Sequence, residues 1–167
     1  MFFKIPDKSI LCDDIYKYIE TNTDEWVWYK EFNIKVIPQT ILLNDPFFKF
    51  LKTKYDFIGV VLRIDPNICY SFHTDDDRRT TINMLLSNSP SHCIFSPTRI
   101  NDRLLNIVEL IYEPDTYYLL DTTVPHMVIN FNSHRFMFSI QFLQDISYND
   151  VLEIVSLYNF INREKNE

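Results

Sequence analysis

The sequence predicts a mainly β domain with flanking helices, an antiparallel sandwich or barrel, and two observations predict it. From about Phe57 to Phe142 the chain is a succession of short apolar or alternating runs, separated by clusters of Asn, Asp, Ser and Pro. Helical spacing of apolar residues is confined to the segments before and after that block. At 167 residues a single domain, 1–167, is expected, long enough to bury roughly two thirds of its unfolded surface. Its β core should span about 57–143, with helices and strands in 1–56 and a helix at about 149–162.

In chain order, the first helix is expected from Asp13 to Thr21. The runs Trp26 to Tyr29 and Phe32 to Ile37 read as early strands, and Pro46 to Lys54 as a helix built on Phe47, Phe48, Phe50 and Leu51. Strands are expected near 57–64, 69–73, 80–86, 92–96, 106–113, 116–121, 126–131 and 134–143, the last two forming a hairpin. In the final helix Val151, Ile154, Val155, Tyr158 and Ile161 make one apolar stripe for packing.

Gly59 is the only glycine, so a Walker loop and a dinucleotide-binding fingerprint, which need several, are excluded. Turns must be made by Asp65-Pro66-Asn67, Ser87-Asn88-Ser89-Pro90 and Asn132-Ser133. The net charge of −7 argues against a broad grip on nucleic acid or an anionic membrane. Cys12, Cys69 and Cys93 are widely spaced and form no C-x-x-C pair, which points away from a disulfide framework and towards a reducing cytoplasm. Cys69 and Cys93 fall in strand patterns and read as small core residues. The start, Met1 to Asp7, carries charge and proline too early for a signal peptide, and no apolar run approaches membrane-spanning length, so a soluble, unprocessed protein is expected.

Chemistry concentrates in four residues. Along 126–131 alternation places His126, Val128 and Asn130 on one face; along 135–142 it places Arg135, Met137, Ser139 and Gln141 opposite Phe136, Phe138, Ile140 and Phe142. With a tight turn at Asn132-Ser133, Asn130 pairs with Arg135 and His126 with Ser139, which sets His126 and Arg135 on one polar face inside the barrel. The two would be roughly 13–17 Å apart along the strands, a span that an arginine arm and a five-carbon diacid can bridge. His73 and Asp75, two apart at a strand end, project to one side. With His126 they supply two imidazoles and a carboxylate, the facial set that leaves positions open on ferrous iron.

Other polar residues read differently. Arg79 and Asn83 can reach inward to a cosubstrate carboxylate, or pair locally. Asp76, Asp77 and Arg78 read as a solvated loop, and His92 and His134 as surface or turn residues. Asp121 reads as orienting its loop or supporting the site from behind.

At this point His73-Thr74-Asp75 with Arg79 and Asn83, then Leu120-Asp121-Thr122-Thr123-Val124-Pro125-His126, then Asn130 and Arg135, resemble the Fe(II)/2-oxoglutarate-dependent dioxygenases, particularly the aspartyl/asparaginyl β-hydroxylase-like branch. The resemblance covers about Tyr70 to Phe142. It implies a double-stranded β-helix, the cupin-like jelly roll, with iron on His73, Asp75 and His126 and the distal carboxylate of 2-oxoglutarate on Arg135, with Arg79, Asn83 and Ser139 beside it. It further implies oxygen as oxidant, succinate as coproduct and hydroxylation of an amino-acid-like or peptidyl substrate. Two alternatives stand beside it: a cupin-like metalloprotein without 2-oxoglutarate, for which Arg135 would have no use, and a non-catalytic β-sandwich binding module. Sugar-nucleotide or nucleobase modification is a third, against which the acidic charge weighs.

Overall fold

The computed structural model describes residues 1–23, 26–87, 91–100 and 103–164. Its elements are β1 (Phe2–Lys8), α1 (Cys12–Thr21), β2 (Val27–Tyr29), β3 (Phe32–Ile37), α2 (Gln39–Leu42), α3 (Pro46–Lys52), β4 (Phe57–Ile64), β5 (Cys69–His73), β6 (Thr80–Leu85), β7 (Ser91–Phe95), β8 (Thr98–Ile100), β9 (Arg103–Leu105), β10 (Val108–Leu110), β11 (Thr116–Asp121), β12 (His126–Asn130), β13 (Arg135–Phe142) and α4 (Tyr148–Glu164). A seven-stranded sheet runs β1-β11-β6-β13-β4-β3-β2, and a four-stranded sheet runs β10-β7-β12-β5; β8 and β9 pair apart from both. Every pairing is antiparallel.

Strand alternation divides the large sheet into two chemically different faces. Phe57 and Val61 of β4, Ile82 and Met84 of β6, Tyr117 and Leu119 of β11, and Phe138 and Ile140 of β13 pack with the helices in one large apolar core. Against them lie Phe47, Phe48 and Leu51 of α3 and Val151, Val155 and Tyr158 of α4. Helix α3 starts where Asp45 caps it, its side chain accepting from Phe47 N at 2.9 Å, with Pro46 at the first helical position. The opposite face meets the small sheet in a lesser core of Cys93, Phe95, Leu110, Tyr118 and Leu120.

Three differences from the sequence reading have physical causes. First, β12 and β13 do not form a hairpin: β12 pairs with β5 and β7, β13 with β4 and β6, so the chain changes sheet between them. Asn130 fastens that crossing, its Nδ2 donating to the carbonyls of Asp65 at 2.8 Å and Ser133 at 2.8 Å. Second, the β structure extends beyond 57–143, because β1, β2 and β3 join the large sheet; β1 holds Pro6 yet survives as an edge strand, where a missing N–H is tolerated. Third, the strand expected over 106–113 contracts to β10, preceded by Asn106 with φ 57°.

Asn67 at φ 60° and Asp115 at φ 53° are further left-handed positions met without glycine. Most of the Ser87–Pro90 turn, residues 88–90, lies outside the described residues. Gly59 faces α2: a Cβ there would lie 2.7 Å from Leu42 Cδ1 and 3.0 Å from Phe138 Cε2.

Candidate metal centre

His73 ends β5 and His126 opens β12, and the two are cross-strand partners. Their rings lie 4.5 Å apart between centroids. Asp75 follows on the irregular segment after β5, and one ligand atom from each of the three residues falls within 4.8 Å of the others.

Backbone carbonyls fix both tautomers. His73 Nδ1 lies 2.7 Å from the Ser71 carbonyl and His126 Nδ1 3.0 Å from that of Val124. A carbonyl only accepts, so each Nδ1 carries a proton, and in the neutral ring it is Nε2 that offers the lone pair. Those Nε2 atoms point at the same carboxylate oxygen, Asp75 Oδ1, at 3.7 Å and 3.6 Å. Burial pushes the His126 imidazolium pKa down and favours the neutral, ligating form, with Phe95 stacked on the ring at 5.5 Å. The three side chains form a graded rim: His73 is 43% exposed, Asp75 12% and His126 10%.

Thr122 joins the two halves. Its carbonyl accepts from Asp75 N at 3.1 Å, its N–H donates to the Arg79 carbonyl at 3.1 Å, and its hydroxyl donates to the Arg78 carbonyl at 2.8 Å. Four residues before His126, it clamps the loop that carries Asp75. Asp121 turns the next residues, accepting from Thr123 N at 3.1 Å and Thr123 Oγ1 at 2.6 Å, which is the loop-orienting role.

Arg135 enters the space between the sheets and is 3% exposed. Its Nε donates to Ser91 Oγ at 3.1 Å and its guanidinium stands 5.7 Å from the Tyr112 ring centre, but among the described residues it has no carboxylate partner. The Tyr112 hydroxyl is buried and closes no hydrogen bond, although the Asn83 amide and the Cys93 thiol approach closely enough to influence its ionisation. Nothing in the sequence marks Tyr112, because an aromatic near the end of an apolar run looks like core.

The remaining expected residues are placed as follows. Asn83 and Ser139 are buried on the inner face and both contact Thr81 Oγ1, at 3.1 Å and 2.9 Å. Arg79 is exposed, and its charge acts on Asp150 of α4 on the outside. Its neighbour Arg78, expected in solvent, turns inward instead and bonds Asp75 and Ser139. Asp77 holds the β2–β3 tip through Tyr29 Oη at 2.9 Å and Lys30 Nζ at 3.1 Å. Cys69, expected in the core, is exposed, because β5 is an edge strand of the small sheet. His92 pairs with Glu109 and His134 with Asp65, both away from the triad.

No protein-family model matches the sequence, and no curated protein is similar to it in sequence. Solved structures are similar in fold. A Pseudomonas putida prolyl-4-hydroxylase superposes with TM-score 0.60 at 15% identity, over 85% of this chain and 90% of that one. A prolyl hydroxylase from Trichoplax adhaerens, in complex with a hypoxia inducible factor peptide fragment, superposes with TM-score 0.61 at 12% identity, over 85% and 82%. The non-haem α-ketoglutarate-dependent epimerase SnoN of nogalamycin biosynthesis gives 0.63 at 10% identity, over 83% and 76%. With these likenesses the two antiparallel sheets are identified as a jelly roll, the double-stranded β-helix, a fold shared with Fe(II)/2-oxoglutarate oxygenases.

Proposed function

We propose that this chain is an Fe(II)- and 2-oxoglutarate-dependent oxygenase that hydroxylates an amino-acid-like or peptidyl substrate. One observation carries the reading: among the described residues the buried Arg135 has no carboxylate partner and the buried Tyr112 hydroxyl closes no hydrogen bond, and the two stand together inside the same barrel as a His-Asp-His cluster. A buried guanidinium whose charge meets no carboxylate and a buried phenol that closes no hydrogen bond are costly unless a ligand satisfies them, and a carboxylate satisfies both.

The donor set fits the metal. Two neutral imidazoles and one carboxylate suit ferrous iron, and His73, Asp75 and His126 would hold it. Arg135, with Tyr112 and Asn83 beside it, would take the distal carboxylate of 2-oxoglutarate. When bound, iron and cosubstrate supply the oxidation: of the two atoms of O2 one enters succinate and the other the substrate C–H bond, with release of CO2.

The chain's own residues do the rest. The Ser71 and Val124 carbonyls keep both imidazoles oriented through Nδ1. Phe95 stacks behind His126 and excludes water from its buried side. His73, the most exposed of the three, marks the side from which substrate arrives. The peptide bound in one of the similar structures supports a peptide-sized substrate. The aspartyl/asparaginyl β-hydroxylase-like branch rests on the sequence pattern around His73, Asp75 and His126. Three free cysteines suit a reducing cytoplasm, and among the described residues no helix is long and apolar enough to cross a membrane.

Anaerobic titration of Fe(II) into the apoprotein with 2-oxoglutarate tests the reading. Keto-acid chelation is expected to give a weak visible charge-transfer band, absent in His126→Ala. No band in the wild type, with no tight metal binding, leaves a β-sandwich binding module as the better description.

A further inference from the structure

The two oxygens of Asp75 are used differently. Oδ1 faces both imidazole Nε2 atoms, at 3.7 Å and 3.6 Å, whereas Oδ2 accepts from Arg78 Nε at 2.5 Å. Arg78 is 23% exposed and Asp75 12%, so this pair is only partly solvated.

Its far end is held as well. Arg78 Nη1 donates to Ser139 Oγ at 3.2 Å. Thr81 Oγ1 has a single proton and faces two oxygens that only accept, the Ile140 carbonyl at 2.7 Å and Asn83 Oδ1 at 3.1 Å, so across the 2.9 Å contact between the hydroxyls Ser139 is the donor. A directed chain therefore runs from the guanidinium through Ser139 and Thr81 to the backbone of β13. Thr122 fixes the Arg78 carbonyl from the other side at 2.8 Å.

We infer that Arg78 is the positioning residue of the Asp75 carboxylate, holding Oδ2 so that Asp75 offers a divalent cation one oxygen rather than two. The inference rests on the proposed metal site. A carboxylate bound through one oxygen occupies one coordination position, which leaves more of them for small ligands. Arg78 acts through Asp75 and through the large sheet to which Ser139 and Thr81 belong, so the small-sheet histidines and the loop carboxylate are held in one frame.

The test is Co(II) titration of the apoprotein, followed by calorimetry and by the visible d–d bands, for wild type, Arg78→Gln, Arg78→Lys and Ser139→Ala. Loss of a group that orients a metal ligand is expected to weaken Co(II) binding about 10- to 100-fold in Arg78→Gln and to change the band shape. Arg78→Lys restores most of the affinity and Ser139→Ala shows the same spectral change in smaller measure, with apoprotein melting recorded for each. Unchanged affinity and spectrum in Arg78→Gln overturn the role of Arg78 while leaving the site intact. If Arg78→Gln does not fold, Ser139→Ala carries the test, and an unchanged spectrum there overturns the proposal. A wild type that binds no Co(II) overturns the metal site itself and this inference with it.

Discussion

His73 and His126 face each other across the antiparallel pairing of β5 and β12, with the carbonyls of Ser71 and Val124 holding their outer nitrogens. Two imidazoles at a centroid separation of 4.5 Å would repel if both were charged, and burial favours the neutral form of His126.

His73→Ala and His126→Ala should therefore separate metal binding from stability. Both are expected to abolish tight Fe(II) or Co(II) binding. His73 is largely solvated, so its loss should change apoprotein stability by no more than about 0.5 kcal/mol, whereas the buried, Phe95-stacked His126 should cost about 1–3 kcal/mol. Metal titration and chemical denaturation of the two variants check this; equal destabilisation with retained metal binding contradicts it.

Tyr112→Phe makes a sharper case, because stability and ligand binding are expected to move apart. Removing a buried hydroxyl that closes no hydrogen bond among the described residues should leave the apoprotein as stable as before or more so, since such a group costs about 1–3 kcal/mol. The same change should weaken 2-oxoglutarate binding about tenfold, the worth of a hydrogen bond to a charged group. Arg135→Lys, which exchanges a two-pronged contact for a point charge, should weaken it by at least as much. Binding isotherms for the two variants, beside their melting curves, decide the matter.

How much of this was legible before the fold was known depends on what alternation encodes. It sorted β13 correctly into an inner face of Arg135, Met137 and Ser139 and an outer face of Phe136, Phe138 and Ile140. Alternation says which side a residue takes and nothing about which strand lies beside it. In this fold successive strands pass from one sheet to the other, so the short Asn132-Ser133 link looked like a hairpin when it is a crossing. Arg78 and Arg79 exchange places for a related reason: they lie in irregular backbone, where no period applies, and only the contacts of Arg78 with Asp75 and Ser139 show which of them turns inward. Pro6 hid β1, since a proline reads as a break unless the strand is known to be an edge.

Gly59→Ala should destabilise. Lower entropy of the unfolded chain would favour alanine by about 0.4–1 kcal/mol, but the new methyl would lie 2.7 Å from Leu42 Cδ1 in a fully buried layer, and overpacking costs about 1–3 kcal/mol. The clash outweighs the entropic gain. A second substitution, Leu42→Ala, should be less harmful in the Gly59→Ala background than in the wild type, a difference that a double-mutant cycle in urea measures.

Asp45 supplies a pH dependence remote from the metal centre. Burial raises its carboxyl pKa despite hydrogen bonds from Phe47 N and Tyr117 Oη. The folded state then holds the proton more tightly than the unfolded chain, so this group's contribution is best at low pH and is lost as pH rises from the ordinary carboxyl value, about 3.9, through the raised one. Asp45→Asn keeps an acceptor at the helix cap and does not titrate. Over that window its stability should decline less with pH than that of the wild type, and parallel curves from denaturant melts would contradict the assignment.

The passage of the chain from one sheet to the other between Asn130 and Arg135 has a consequence for selectivity. The imidazoles hang from the small sheet and the arginine from the large one, so a ligand gripped by both works like an object between calliper jaws, and the opening is set by how far apart the layers pack. Because Phe95, Tyr118 and Leu120 fill the space between those layers, the gauge is written in their bulk. A change in the size of these apolar residues, none of which need touch the ligand, would retune the length of diacid that the proposed site accepts.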